Sequence, residues 1–495
     1  MCHEEGSTPP LMGKKAPRFK AWHKPLLVGL LGVALVSGAI LQASHLAAQT
    51  ASEQSQTSAE NATLEGPKLA PGIGCQRFPL RQPLPDWDEG GSLFVHDLDG
   101  DGRFEFVITS PRHIGAYDHS GRLLWMRHNI KFFDYAAHPS AIAGDMDTDG
   151  HQEVAYLTPD DEICIVDGVT GQTDTILSDV GKPRAMAIAN LRGQGDREIL
   201  LQYSQTHIRA ITADNGTELW DTDEYRGIEH SPLRQADLDG DGRDEVAGAS
   251  IIDDDGTKMN SWDLGDTYRS MDSIVIADII PGLPLEVALA EQRGANSHTV
   301  VVNPDRIVFR SLNPWNWEDP DKLAVGEFDA QRPGLEIFNR SSGGDGNAPR
   351  GRKEPYRYEE APWVLDSQGN LISKYYVNDN KPPWWTGHGL EEVCRIDWDG
   401  DDTDEIVAKE RHTNGAGAIV DPITGKFRVI FPAQAVIIYA ADIRGDYREE
   451  VIIVDESGEV KIFKNSQANH NPHKSPYWTQ QHYRRQKQNW NYYSP

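Results

Sequence analysis

Short apolar runs recur along this chain, and each breaks off at a dense polar stretch. Ser92–His96, Ser140–Gly144 and Leu233–Ala236 are three such runs. A second run follows each polar stretch, as at Glu105–Thr109 and Glu245–Ala249. A turn and a third run come next, ending in Asp with Gly soon after. Ile163–Asp167 before Thr170-Gly171 shows the form, and Asp366–Gly369 and Asp421–Gly425 repeat the turn. Short runs bounded by Gly, Asp and Pro predict β-strands.

The polar stretch is itself a repeat. Its clearest copy is Asp237–Glu245, with carboxylates at positions 1, 3, 5 and 9 and glycine at 4 and 6. Asp97, Asp99, Asp101 and Glu105 repeat it, then Asp145, Asp147, Asp149 and Glu153, then Asp397, Asp399, Asp401 and Glu405. Degenerate copies begin at Asn190, Asp278, Glu327 and Asp442. Most adjacent starts lie 41 to 49 residues apart. A period of about 40–50 residues with four short strands per unit is the signature of propeller blades. The expected fold is all-β: an eight-bladed β-propeller over residues 67–466, with Asp-rich calcium loops and an insert at 339–390. An early strand within residues 67–91 is expected to complete the last blade, because propellers close their ring.

The chemistry of the phrase points to calcium. Glycines let the backbone turn tightly through φ > 0. Three aspartates then surround one point, and the ninth-position glutamate of Asp237, Asp239, Asp241 and Glu245 returns from the next strand. A hard cation that takes about six to eight oxygens suits such a set. In a repeat, these loops read as structural clips joining the first two strands of each blade.

Net charge is −28. Much of it sits in the phrases, and a basic nucleic-acid face is excluded at that balance. Lys14, Lys15, Arg18, Lys20 and Lys24 precede an apolar stretch at Leu26–Leu41. Residues 1–48 therefore read as a signal peptide or a membrane anchor through 26–41. Either places the body outside the cytoplasm, secreted, periplasmic or anchored. Residues 49–66 read as a disordered linker, and 467–495 as an aromatic tail packed on the propeller. Cys75, Cys164 and Cys394 follow the signal with no CxxC spacing, which argues against zinc. The chain is expected to be monomeric.

Candidate chemistry gathers on the face away from calcium. Blade links supply Tyr135, His138, Arg226, His230, Trp317, Trp385 and His388, and second-to-third-strand turns supply Arg340, Arg411 and His412. Cations beside aromatic rings on an acidic protein suggest an acidic polysaccharide, whose sugar faces stack on the rings. No carboxylate pair stands out for hydrolysis. Elimination next to a uronate needs a cation on the carboxylate and a base for the neighbouring proton. His138, His230, His388, Arg411 and His412 are the catalytic candidates; Tyr135, Arg226, Arg340, Trp317 and Trp385 are the substrate-binding candidates.

The Asp-x-Asp-x-Asp-Gly blades resemble those of rhamnogalacturonan lyases of polysaccharide lyase family 11. So do Ser341-Ser-Gly-Gly-Asp-Gly, Ile396-Asp-Trp-Asp-Gly-Asp, Lys409-Glu-Arg-His, Ala441-Asp-Ile-Arg-Gly-Asp-Tyr-Arg-Glu-Glu and the closing Gln-Asn-Trp-Asn-Tyr-Tyr-Ser-Pro. The resemblance covers roughly residues 90–495. It implies a secreted, calcium-rich, eight-bladed propeller that cleaves pectin backbones by elimination. The family's small sandwich module ahead of the propeller has no counterpart in the short stretch after the apolar segment. The competing reading is a non-catalytic, integrin-like calcium propeller that binds glycan or protein at the cell surface.

Overall fold

The computed structural model describes residues 72–85, 91–131, 141–227, 233–265, 271–291, 297–315, 320–341, 360–383, 385, 390–410, 415–467 and 477–489. The compact unit they belong to runs from Pro67 to Pro495. The strands are short and antiparallel. Among the described residues they form seven four-stranded sheets and one two-stranded sheet.

Each four-stranded sheet from the first to the seventh is a simple meander. The first runs Ser92–His96, Glu105–Ser110, His113–Tyr117 and Leu123–His128. The innermost strands of successive sheets pack against one another around the ring, and their residues are almost all buried. Outermost strands such as Thr173–Leu177 are mostly exposed or half-buried. Burial therefore grades from axis to rim, as a propeller requires.

The eighth sheet is closed by the N-terminal strand. Ile73–Pro79 pairs antiparallel with Glu459–Asn465, so three strands from the end of the chain are completed by one from its beginning. The fourth sheet is the exception to the meander. Only Arg234–Ala236 and Glu245–Ala247 pair, and single bridges at Val246–Ile252 and Ile252–Lys258 continue it. The second strand ends early because the Ala249 N–H donates to the carbonyl of Arg226 instead of to a sheet partner.

Neighbouring sheets lock together through the Gly turn. Gly171 of the second sheet has φ +66° and lies under the ring of Trp125 on the first sheet's outermost strand. A Cβ there would stand 2.4 Å from Trp125 Cγ. The Trp125 indole N–H donates to Gly168 O at 2.8 Å. Gly121 under Phe78, Gly256 under Trp220, Gly369 under Phe309 and Gly425 against Tyr375 repeat the lock. Gly171→Ala is expected to destabilise the fold by about 1–3 kcal/mol from the left-handed backbone alone. A lower urea midpoint at an unchanged m-value would register it.

The phrases share one hydrogen bond in all eight copies. The closing glutamate, ninth in seven copies and tenth in the copy that begins at Glu327, accepts through Oε2 the N–H of position 2: Leu98 to Glu105, Met146 to Glu153, Leu191 to Glu198 and Leu238 to Glu245. Ile279 to Glu286, Phe328 to Glu336, Trp398 to Glu405 and Ile443 to Glu450 complete the set. The degenerate copies thus keep the turn even where aspartates are lost. Position 8 staples neighbouring loops. Asp244 Oδ2 accepts from Asn190 N, Asp404 Oδ2 from Glu327 N and Glu449 Oε2 from Asp397 N.

A C-terminal helix, Gln481–Gln488, crosses the axis at this end of the ring. Its last turn is buried and wholly polar: Arg485, Gln486, Lys487 and Gln488. Arg485 pairs with Asp244 and Asp196. Gln486 bonds both backbone groups of Ile276. Lys487 Nζ lies 3.0 Å from Cys394 Sγ. Gln488 reaches His96, and Tyr439 Oη donates to Lys487 O. The helix therefore ties together sheets on several sides of the axis, and it does so with polar side chains where the sequence suggested an aromatic tail packed on the propeller. Its cations sit among position-8 carboxylates that would otherwise repel one another.

Candidate active site

Antiparallel connectivity assigns two faces. The phrases and the third-to-fourth-strand turns lie at one end of the disc. The links between sheets and the second-to-third-strand turns lie at the other. The helix covers the phrase end of the axis, and among the described residues no element covers the other end in the same way.

At the link face the innermost two strands begin with different chemistry around the ring. Ser92 pairs with Thr109, Ala141 with Tyr156, Ala185 with Gln202, and Ile437 with Val454 in the first, second, third and eighth sheets. In the fifth, sixth and seventh, Met271 stands opposite Glu291, Lys322 opposite Arg340, and Leu390 opposite Glu410. Charge is thus concentrated on one half of the rim. Arg234, Lys322, Arg340 and Lys409 are each 0% exposed, and Asp272, Glu291, Glu360 and Glu392 are at most 6% exposed.

Buried charges persist only when paired and hydrogen-bonded. Arg340 shows how. It pairs with Asp321, lies 3.0 Å from Glu360 Oε1, and donates through Nε to the carbonyl of Leu390. Glu360 Oε2 in turn accepts from Leu390 N at 2.5 Å. This triad bolts the sixth sheet to the seventh. Lys409 lies 3.5 Å from Glu392, and Glu410 accepts from Ala416 N at 3.0 Å. Glu291 takes His298 Nδ1 at 2.8 Å and Arg310 at 3.6 Å. Burial lowers the Arg234 guanidinium to about 9, against the opposing pull of Tyr225.

Two expected ligand contacts are corrected by these positions. Arg340 is enclosed and engaged by two carboxylates, so it holds strands rather than offering a free guanidinium to a sugar. Trp385 is 1% exposed and packs edge-on to Phe427, with ring centroids 4.9 Å apart. It is core between the sixth and seventh sheets. Arg226 is half-buried, and its Nη1 donates to Asp223 O and Tyr225 O. Tyr135, His138, His230, Trp317, His388, Arg411 and His412 lie outside the described residues.

Sequence reasoning missed Arg234, Asp272, Lys322, Glu360 and Glu392. A signal for most of them was present: a charge written into an otherwise apolar inner strand, as in Leu233-Arg-Gln-Ala and Asp321-Lys-Leu-Ala-Val. A strand buried on both faces excludes charge unless a partner waits for it.

At the opposite face, three phrases bring ligand oxygens within 4.8 Å of one another: Asp97, Asp99 and Asp101; Asp145, Asp147 and Glu153; Asp237, Asp239 and Glu245. Glu245 is fully buried and its Oε1 has no hydrogen-bond partner. Burial, reinforced by Asp239 and Asp237, pushes its carboxyl up to about 8. An orphaned carboxylate oxygen beside converging aspartates is a donor set that fits a hard cation. Glu105 and Glu153 are both pushed up to about 7 by burial and their own aspartates. The Asp397 loop does not converge in this way among the described residues.

A cavity of about 360 Å³ also lies at the phrase end, between the C-terminal helix and the fifth to seventh sheets. Ile276, Arg395, Tyr477, His482 and Lys487 line part of it. It is a seam beside the helix, on the same three sheets as the charged rim but at the opposite end of their strands.

Comparison with known proteins follows this geometry. A family model described as rhamnogalacturonan lyase family 11, C-terminal domain, matches residues 187–495. Rhamnogalacturonan exolyase YesX of Bacillus subtilis (strain 168) is 24% identical over 74% of this chain and 70% of its own. Rhamnogalacturonan endolyase YesW of the same organism is 25% identical over 74% of this chain and 66% of its own. The crystal structure of exotype YesX superposes with a TM-score of 0.62 at 20% identity, covering 85% of this chain and 81% of that one. That likeness speaks to the fold.

Proposed function

Because the chain belongs to rhamnogalacturonan lyase family 11, we infer that it is a polysaccharide lyase acting on a rhamnogalacturonan-like, uronate-containing backbone. The observation that carries this reading is the overlap between the matched span, 187–495, and the charged half-rim from Arg234 to Glu410. The reaction is β-elimination. A cation neutralises the uronate carboxylate, and a base removes the proton beside it. The electron pair forms a C=C bond as the C–O bond to the leaving sugar breaks, and the leaving oxygen takes up a proton.

His138, His230, His388 and His412 are the base candidates, because the links and turns that carry them join the strands of the rim. Arg411 and Arg226 supply cations, and Tyr135 and Trp317 supply stacking faces. The buried pairs beneath, Lys409 with Glu392 and Arg340 with Glu360, fix the strand ends from which those segments spring. Sites held on a rigid frame keep the geometry that catalysis demands.

Calcium belongs to the opposite face in this reading. Asp97, Asp99 and Asp101, then Asp145, Asp147 and Glu153, then Asp237, Asp239 and Glu245 would hold it, and it would supply charge neutralisation and loop rigidity. The two-stranded fourth sheet is read as an incomplete blade, giving eight around the axis. The enzyme acts outside the cytoplasm as a monomer.

Incubation with rhamnogalacturonan is expected to raise ultraviolet absorbance from unsaturated uronate ends. Absence of that rise on rhamnogalacturonan and on other acidic glycans would leave the non-catalytic propeller in its place.

A further inference from the structure

The eight phrase glutamates use Oε2 for the shared hydrogen bond, which leaves Oε1 facing the loop centre. What meets that atom differs between loops. In the third sheet Arg192 replaces the position-3 aspartate, and its Nε lies 2.8 Å from Glu198 Oε1. In the eighth sheet Arg444 does the same to Glu450 Oε1, with Nη2 3.1 Å from Asp446. Two degenerate copies have thus exchanged a carboxylate for a guanidinium that occupies the centre.

The seventh sheet reaches the same end by another route. Its phrase keeps every carboxylate: Asp397, Asp399, Asp401 and Glu405. Yet Arg428, reaching in from the outermost strand Phe427–Ala435, pairs with Glu405 Oε1. Its Nη1 lies 3.6 Å from Asp399 Oδ2, and its Nη2 donates to Asp421 at 2.9 Å. Of the four intact phrases this is the one whose oxygens do not converge, whereas Glu245 Oε1 in the fourth sheet has no partner.

We propose that Arg428 is a built-in cation that takes the place of a metal ion in the Asp397–Glu405 loop, as Arg192 and Arg444 do in theirs. The sequence motif alone predicts an ion in this loop; the geometry assigns it a guanidinium. Cation supply at the corners is therefore divided between external metal in the first, second and fourth sheets and internal arginine in the third, seventh and eighth. The proposal rests on the calcium reading of the loops of the first, second and fourth sheets.

The test counts calcium bound by the full chain after chelator stripping and reloading with calcium chloride, by titration calorimetry. Asp239→Asn should bind one ion fewer than the natural chain. Asp399→Asn should bind the same number, and Arg428→Gln should bind one more. A lost ion in Asp399→Asn overturns the assignment of Arg428. So does an unchanged count in Arg428→Gln with a native circular dichroism spectrum. An unchanged count in Asp239→Asn overturns the calcium reading underneath, and the proposal with it. Because Asp399→Asn leaves Arg428 and the core intact, its result stands even if Arg428→Gln does not fold.

Discussion

Chelating calcium is expected to remove about 8 kcal/mol of folding stability. The figure follows from mass action: an ion at a hundredfold excess over its dissociation constant contributes about 2.7 kcal/mol, and three independent loops contribute three times that. Domains are stable by only about 5–15 kcal/mol, so the loss is most of the total. The loops give a reason for the size. Three sets of carboxylate oxygens lie within 4.8 Å of one another, and Glu245 is fully buried among them. Removing the cation leaves like charges facing each other at the corner of a sheet. Thermal and urea unfolding with calcium, and again with chelator, measure the effect. Coincident curves would contradict calcium in the loops.

Arg395→Ala should cost about 3–5 kcal/mol, the range for breaking a buried ion pair from one side. Arg395 lies on the inner strand Leu390–Ile396, 3.0 Å from both Asp404 Oδ2 and Glu449 Oε2. It donates to Tyr483 Oη at 2.8 Å, and its Cζ stands 3.5 Å from the centre of the Tyr477 ring. Burial works against the charge, but Asp404, Tyr483 and Glu449 more than offset it and hold the guanidinium well above its ordinary range. Alanine would leave Asp404 buried without its guanidinium and Glu449 with only Lys487, 3.7 Å away, as a cation. Those two carboxylates also staple the sixth, seventh and eighth loops, so the damage spreads along the ring. Arg103→Ala is the control. Arg103 is 59% exposed beside Asp101, and its loss should leave the urea midpoint where it was. Equal losses in the two variants would refute the role given to burial.

The strands and their order were legible because each apolar run ends at a phrase whose glycines permit only a turn. The closing strand was legible too, since a ring of this kind needs one from the other end of the chain. At the link face two residues were misread. Arg340 and Trp385 read as ligand contacts because cations and rings on a turn look alike whether they face water or core. What distinguishes them is a partner that sequence does not display: Glu360 for the one, Phe427 for the other. The helix was missed for a similar reason. Residues 485–488 carry no apolar stripe, and the groups that bury them are carboxylates and carbonyls far away in the chain.

The pairing of Ile73–Pro79 with Glu459–Asn465 makes the first strand wait for the last. A ribosome or a secretion channel delivers the chain from its N-terminus. Most of the sheets are therefore complete while the ring still has two raw edges and Asp196 and Asp244 stand without Arg485. Loop-closure entropy adds little to that delay, since it grows only with the logarithm of length. Arrival of the final segment supplies both the edge partner and Arg485. A chain lacking Glu459–Asn465 and the helix Gln481–Gln488 would therefore leave Ile73–Pro79 without its partner and the sheet edge open to proteases, which limited proteolysis of a truncated chain would reveal.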